Sequence, residues 1–103
     1  MVRVFLYDNR LELGRGVLAQ VDGFKLTYVS HTFSSSPEAI RNDKKSIYGY
    51  VYEVDESVMK GLDAYYGVGI GLHHRIVVKA NFEGGLSYPV TMWEYTYLEV
   101  AKK

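Results

Sequence analysis

The amino-acid sequence predicts an α+β fold, in which five to six strands curl into a small mixed β-barrel beside one main helix and short helical turns. Three observations lead to this prediction. The chain has 103 residues, of which 48% are hydrophobic and 23% charged, as is typical of a single globular domain over residues 1–103. Several segments alternate apolar and polar residues with a period of two, as strands do. One later stretch instead repeats its apolar residues at helical spacing.

Five segments carry the alternation expected of strands. They are residues 2–7, 24–33, 47–54, 73–82 and 90–100. Residues 11–21 are apolar but interrupted by Gly14 and Gly16, which favours a short helix or an irregular connection. Residues 34–46 are polar and rich in turn formers, which favours a loop. Because an open sheet would leave unpaired edge strands, we expect these strands to close into a barrel.

The helical stretch covers residues 56–66 and carries signals at both ends. Asp55 is a typical N-cap residue, and Gly67 stands where a helix often ends in a left-handed glycine. The spacing of apolar residues predicts one buried stripe along this helix. The stripe consists of Val58, Leu62 and either Tyr65 or Tyr66.

Composition excludes several classes of function. Twelve basic and twelve acidic residues give a formal net charge of zero, so the long-range attraction that draws most nucleic-acid-binding proteins to phosphate is missing. The chain has no cysteine, which excludes disulfides, thiolate catalysis and cysteine-ligated metals. No apolar run is long enough to span a membrane, and the first residues lack the hydrophobic stretch of a signal peptide. We therefore expect a cytoplasmic protein without nucleic-acid or membrane partners.

No pattern in the sequence predicts a metal site or a cofactor. His73 and His74 are neighbours in a predicted strand, so their rings point to opposite faces and do not readily bind one metal ion. His73 is expected in a pocket or the core, and His74 in solvent. The glycines of residues 67–71 follow a helix rather than a strand, unlike those of a dinucleotide-binding loop.

Six short motifs follow one another along the chain. They are Phe5–Leu11, Pro37–Ile40, Gly49–Asp55, Leu62–Gly67, His73–Arg75 and Trp93–Tyr95. In this order and spacing they resemble the gamma-glutamyl cyclotransferase-like family, which includes AIG2-like proteins and gamma-glutamylamine cyclotransferases. The resemblance implies a barrel of five or six strands. It also implies an enzyme that releases pyroglutamate when the substrate's own amine attacks its γ-carbonyl.

The resemblance also implies which residues form the site, and the chain departs from the family there. In the family, backbone N–H groups of the Tyr7–Leu11 loop hold a substrate carboxylate, and a glutamate at the position of Tyr66 takes the proton of the attacking ammonium. Here Tyr66 replaces that glutamate, Asp8 replaces the loop glycine and His73 replaces a tyrosine. A phenol is a poor base at neutral pH, and Asp8 would repel a carboxylate. The usual activity is therefore expected to be lost.

The function predicted from these departures is binding without catalysis. The expected ligand is a small polar molecule or a protein partner, bound at the rim of the barrel cavity. Its predicted contacts are Tyr7, Asp8, Asn9, Arg10, Leu11, Tyr66 and His73. We expect Asp8 to favour a ligand that carries a cation or hydrogen-bond donors.

Two alternatives stay open. The first is an active cyclotransferase or amide lyase that uses a relocated acid. Glu94 is the first candidate for that acid because it stands on an otherwise apolar strand face. Glu38, Glu53 and Asp63 are expected to have structural or solvated roles. The second alternative is a scaffold that acts through self-association of its tyrosine-rich strands, for example as a homodimer.

Overall fold

A computed structural model describes residues 1–7, 11, 13–30 and 35–96 of the chain. These residues form five strands, one α-helix and one short 3-10 helix. In chain order they are β1 (Val2–Leu6), β2 (Val17–Ser30), β3 (Ser35–Val54), α1 (Glu56–Tyr66), the 3-10 helix (Val68–Ile70), β4 (His73–Phe82) and β5 (Ser87–Tyr95).

The five strands form a closed barrel in the order β1-β3-β2-β4-β5. All neighbouring strands are antiparallel except β1 and β5, which run parallel and share the single pair of Val4 and Thr91. The predicted α+β fold with a small mixed barrel and one main helix is confirmed. Closure gives every strand a partner on both sides, which removes the unpaired edges that an open sheet would have.

The alternation within the strands divides the buried residues into two groups. The barrel core, which fills the interior, includes Phe5, Val21, Ile47, Val51, Val90 and Met92. The helix core, which lies between α1 and the outer faces of β1 and β5, includes Val4, Leu6, Met59, Leu62, Tyr66 and Trp93. The last turn of α1 is thus fixed beside the seam where β1 and β5 meet.

The β2–β3 hairpin changes register part-way along its length. Residues 17–22 pair with residues 46–51, whereas residues 24–30 pair with residues 35–41. We call the second, outer pair of segments the ribbon. The register shift leaves extra unpaired residues on β3, which allows the ribbon to bend relative to the rest of the hairpin.

The register shift directs the ribbon back onto the barrel. At the shift Gly23 stands opposite residues 42–45, and its φ of 90° is one that glycine adopts without strain. Beyond it, the side chains of Phe24 and Ala39 pack in the barrel core. Arg41 reaches β5, where its Nε lies 2.6 Å from a carboxylate oxygen of Glu94. The ribbon is therefore a wall of the barrel end.

Two sequence predictions are wrong in this hairpin. Residues 17–21 form a strand rather than a short helix or irregular connection, and residues 35–46 belong to β3 rather than to a loop. Of the turn-forming residues that favoured a loop, Asn42 and Asp43 stand at the register shift, whereas residues 35–37 pair with β2. Pairing with β2 supplies backbone hydrogen bonds to the polar segment, and tertiary pairing of this kind overrides local propensity.

The other predicted strands are confirmed in their described parts. β1, β4 and the end of β3 agree with the predictions for residues 2–7, 73–82 and 47–54. β5 begins at Ser87, a little before the predicted start. Residues 31–33 and 97–100 of the predicted strands lie outside the described residues.

Helix α1 begins and ends where the sequence predicts. The Asp55 carboxylate accepts a hydrogen bond of 3.0 Å from the backbone N–H of Val58, and Gly67 closes the helix with a left-handed φ of 69°. Of the two tyrosines at its end, Tyr66 is buried and Tyr65 is about half exposed. Val58 of the predicted stripe is partly buried and packs against the helix core, and Met59 beside it is fully buried.

Candidate functional site

The candidate site lies where β1, β4, β5 and the end of α1 meet. The carboxyl ends of parallel strands commonly carry binding residues, and β1 and β5 are the parallel pair. Tyr7 directly follows β1, and its hydroxyl lies 3.4 Å from the backbone carbonyl oxygen of Trp93 on β5. Helix α1 supplies Tyr66, β4 begins with His73, and the ribbon supplies Glu38. We call Tyr7, Glu38, Tyr66 and His73 the Tyr7 cluster.

Tyr66 is packed between other rings at the end of α1. Its side chain is 5% exposed. The ring stacks on that of Trp93, with centroids 5.2 Å apart and planes 13° apart, and meets the ring of His73 edge-on at 5.0 Å. The phenol that stands in place of the family's glutamate is therefore a buried packing residue as well as a neighbour of the polar groups.

Glu38 is a buried acid at the centre of the cluster. One carboxylate oxygen, Oε1, lies 2.7 Å from Nε2 of His73 and 3.3 Å from the hydroxyl of Tyr7. On the other side of its ring, His73 Nδ1 donates to the backbone carbonyl of Tyr66 at 2.5 Å. Polar contacts thus connect α1, β4, the ribbon and the end of β1 in one chain of hydrogen bonds.

Burial changes the acidity of the Tyr7 hydroxyl. The pKa of Tyr7 is raised above its ordinary value of 10.0, first because burial disfavours the phenolate, and then because the charges of Glu38 and Tyr66 would lie close to it. Tyr7 therefore keeps its proton throughout the physiological range and acts in the cluster as a neutral hydroxyl that donates one hydrogen bond.

The raised pKa of Tyr7 predicts a loss of stability in alkali. The folded protein binds the phenolic proton more tightly than the unfolded chain, so this contribution is complete below pH 10.0 and falls as the pH rises towards the folded value. When the pH is raised from about 9 to about 11.5, the free energy of unfolding should fall less in Tyr7→Phe than in the parent. Urea unfolding at both pH values measures this difference. Tyr48→Phe, at a 63% exposed tyrosine, is the matched control and should behave as the parent does.

Asp63 fixes the wall on which Tyr66 stacks. Its carboxylate accepts two hydrogen bonds from the Arg75 guanidinium, at 2.7 and 2.6 Å, and one from the indole N–H of Trp93 at 2.9 Å. The hydrogen bond from Arg75 holds the pKa of Asp63 below its ordinary value, and that from Trp93 adds to the effect. The structural role expected of Asp63 is that of orienting the indole.

Glu94 lies on the other face of β4 and β5 from His73. Its carboxylate is 2.6 Å from Arg41 Nε and 3.0 Å from Nε2 of His74, and its side chain is 8% exposed. His73 and His74 point to opposite faces, so Glu94 on the face of His74 is not part of the Tyr7 cluster. Glu94 is therefore a buried carboxylate paired with Arg41 and His74.

The structure brings together some of the predicted ligand contacts. Tyr7, Tyr66 and His73 contact one another directly or through Glu38. Leu11 packs against the helix core. Asp8, Asn9 and Arg10 lie outside the described residues. The loop that the resemblance assigns to carboxylate binding is thus described only at Tyr7 and Leu11.

Glu38 is the residue that sequence reasoning missed, since it was expected in a structural or solvated role. It lies in a segment that was predicted to be a loop. One signal could have found it: Glu38 is the acid within a family motif, Pro37–Ile40, directly before two apolar residues. Alternation along a strand would then have placed its side chain opposite that of Ala39, at the end of the barrel.

The part of the chain that the structure describes holds no group of three or more histidine, aspartate or glutamate side chains placed to share a metal ion. It also contains no helix with the length and hydrophobicity needed to cross a membrane.

The sequence profile of the family described as "Gamma-glutamyl cyclotransferase, AIG2-like" matches residues 5–103. The chain belongs to this family. The match covers nearly all of the sequence, including every motif that carried the resemblance. No curated protein matches the sequence of this family member.

Solved structures resemble the chain in fold. A protein titled "Gamma-glutamyl cyclotransferase" superposes with a TM-score of 0.78 at 20% identity, covering 92% of this chain and 66% of its own. An uncharacterized protein from Homo sapiens superposes with a TM-score of 0.77 at 20% identity, again covering 92% of this chain and 66% of its own. YkqA from Bacillus subtilis superposes with a TM-score of 0.80 at 14% identity, covering 92% of this chain and 40% of its own. The chain thus spans less than two thirds of the length of each of these relatives.

Proposed function

We propose that this family member binds a small polar ligand at the Tyr7 cluster and that position 66 supplies no base there. The observation that carries the proposal is the convergence of four polar side chains from separate elements, each less than a tenth exposed, on one contiguous group. A buried glutamate and histidine are costly to desolvate, so their presence in one cluster marks a candidate functional site.

Position 66 determines what the domain can do with its ligand. The family's route to pyroglutamate needs a base where this chain has Tyr66, and the phenol does not take a proton from an ammonium at neutral pH. A domain with no other base would bind without catalysis. Any reaction of the bound ligand requires an acid–base group from elsewhere in the cluster.

Burial of the cluster also constrains how a ligand enters. Tyr7 is 9% exposed, whereas Glu38, Tyr66 and His73 are each 5% exposed. A ligand that contacts Glu38 must therefore displace one of these side chains or move one wall of the site.

We further propose a cytoplasmic location, which the absence of cysteine supports.

A thermal-shift screen tests the binding function. Amines, amino acids, nucleotides and gamma-glutamyl amides are added to the parent protein. A compound at about 100-fold excess over its Kd should stabilise the fold by about 2.7 kcal/mol, a rise in Tm of about 10 °C. Tyr7→Phe should reduce the shift and the exposed Tyr48→Phe should not. If no compound raises the Tm and the protein elutes as a dimer, self-association replaces ligand binding as its function.

A further inference from the structure

We infer that Glu38 and His73 form an acid–base pair that replaces the missing glutamate at position 66, with a γ-glutamyl amide carrying a free α-ammonium group as the class of substrate. The inference rests on the binding function proposed above and adds chemistry to it. It assigns the role of relocated acid to Glu38, which comes from the ribbon, rather than to Glu94.

The hydrogen bonds of His73 fix where its protons are. A carbonyl oxygen only accepts, so the contact of 2.5 Å with the Tyr66 carbonyl requires the hydrogen on Nδ1. Nε2 then faces Oε1 of Glu38 at 2.7 Å, and a contact of this length requires one proton between the two atoms. That proton belongs to either partner, so His73 can hold it while Glu38 is a carboxylate.

Glu38 is placed to exchange protons with a substrate in the cluster. With the proton on His73, Glu38 is an anion in a site with little water, where it acts as a base. Tyr7, whose hydroxyl lies 3.3 Å from Glu38, keeps its own proton and can donate to a substrate oxygen on which negative charge develops. Glu94 is less suited to this task because Arg41 and His74 bind its carboxylate on the opposite strand face.

The proposed reaction balances without water or a further reactant. Glu38 takes one proton from the α-ammonium, and the amine then attacks the γ-carbonyl carbon to form the new C–N bond. The old bond from the γ-carbon to the leaving nitrogen breaks as that nitrogen accepts a proton from Glu38. Glu38 then takes the second proton from the new lactam nitrogen and passes it to the departing amine, giving pyroglutamate and a free ammonium product. The pair ends with the one proton that it had at the start.

Matched substitutions of the two buried acids test the inference. Release of pyroglutamate from γ-glutamylalanine and γ-glutamylbutylamide is measured for the parent, Glu38→Gln and Glu94→Gln. We expect turnover by the parent, a loss of about 100-fold or more in Glu38→Gln, and a change of only a few-fold in Glu94→Gln. If Glu38→Gln does not fold, Glu38→Asp is measured in its place. Aspartate keeps the carboxylate but is shorter by one methylene group, so turnover should still fall about 10-fold.

The outcomes separate this inference from the binding function. Parent protein that is stabilised by the γ-glutamyl compounds but releases no pyroglutamate overturns the acid–base role and leaves binding in place. Turnover that survives in Glu38→Gln and disappears in Glu94→Gln overturns the assignment and makes Glu94 the relocated acid. If the parent neither turns over these compounds nor shows a Tm shift with any compound of the screen, both proposals fail.

Discussion

Gly49→Ala is expected to lower the free energy of unfolding by about 3 kcal/mol or more. Gly49 is buried in β3, next to β1. A Cβ atom at this position would lie 2.4 Å from the backbone carbonyl oxygen of Leu6 and 2.8 Å from the Phe5 ring. The nearest neighbour is backbone, so the two strands would have to separate to admit the methyl group. Urea unfolding, followed by circular dichroism, measures the change.

A second glycine provides the control for this prediction. Gly61 lies inside α1, and a Cβ atom there would meet no atom within 4 Å. Gly61→Ala removes a residue with poor helix propensity and should stabilise the protein by about 0.5–1 kcal/mol. The same chemical change is thus expected to act in opposite directions at the two sites. A Gly49→Ala protein as stable as the parent would contradict the close packing of β3 on β1.

The parts of the fold that the sequence predicts are those determined by local interactions. Asp55 and Gly67 bound the helix because each satisfies backbone groups within a few residues of itself. The end of β3 alternates because one of its faces is buried, whereas β1 is buried on both of its faces at residues 4–6. Gly49, by contrast, is required by a distant partner, since β1 beside it leaves no room for a side chain.

The ribbon could not be predicted because its structure depends on distant partners. Residues 35–46 have the composition of a loop, and they form a strand only because β2 pairs with them across a register shift. The position of Glu38 depends on that shift, which turns the ribbon onto β4 and brings the carboxylate to His73. Family motifs mark all four residues of the Tyr7 cluster, but the role of Glu38 was not predictable because its position depends on the shifted pairing of β2 and β3.

Tyr66→Ala is expected to cost about 3–5 kcal/mol of stability, as other large buried aromatic residues do. The substitution removes a ring that stacks on Trp93 and leaves a cavity in the helix core. It also exposes the polar contacts of His73, whose Nδ1 donates to the backbone of residue 66. Chemical denaturation of the parent and the variant at neutral pH measures the loss.

Tyr65→Ala is the matched control because it removes the same side chain one position earlier in α1. Tyr65 is 48% exposed and meets the ring of Tyr66 edge-on, so its loss should cost much less than that of the buried Tyr66. Equal losses in the two variants would contradict the packing role of Tyr66. A large loss at Tyr66 alone would explain how the chain tolerates a phenol where its family uses an acid. In that case position 66 has become part of the helix core.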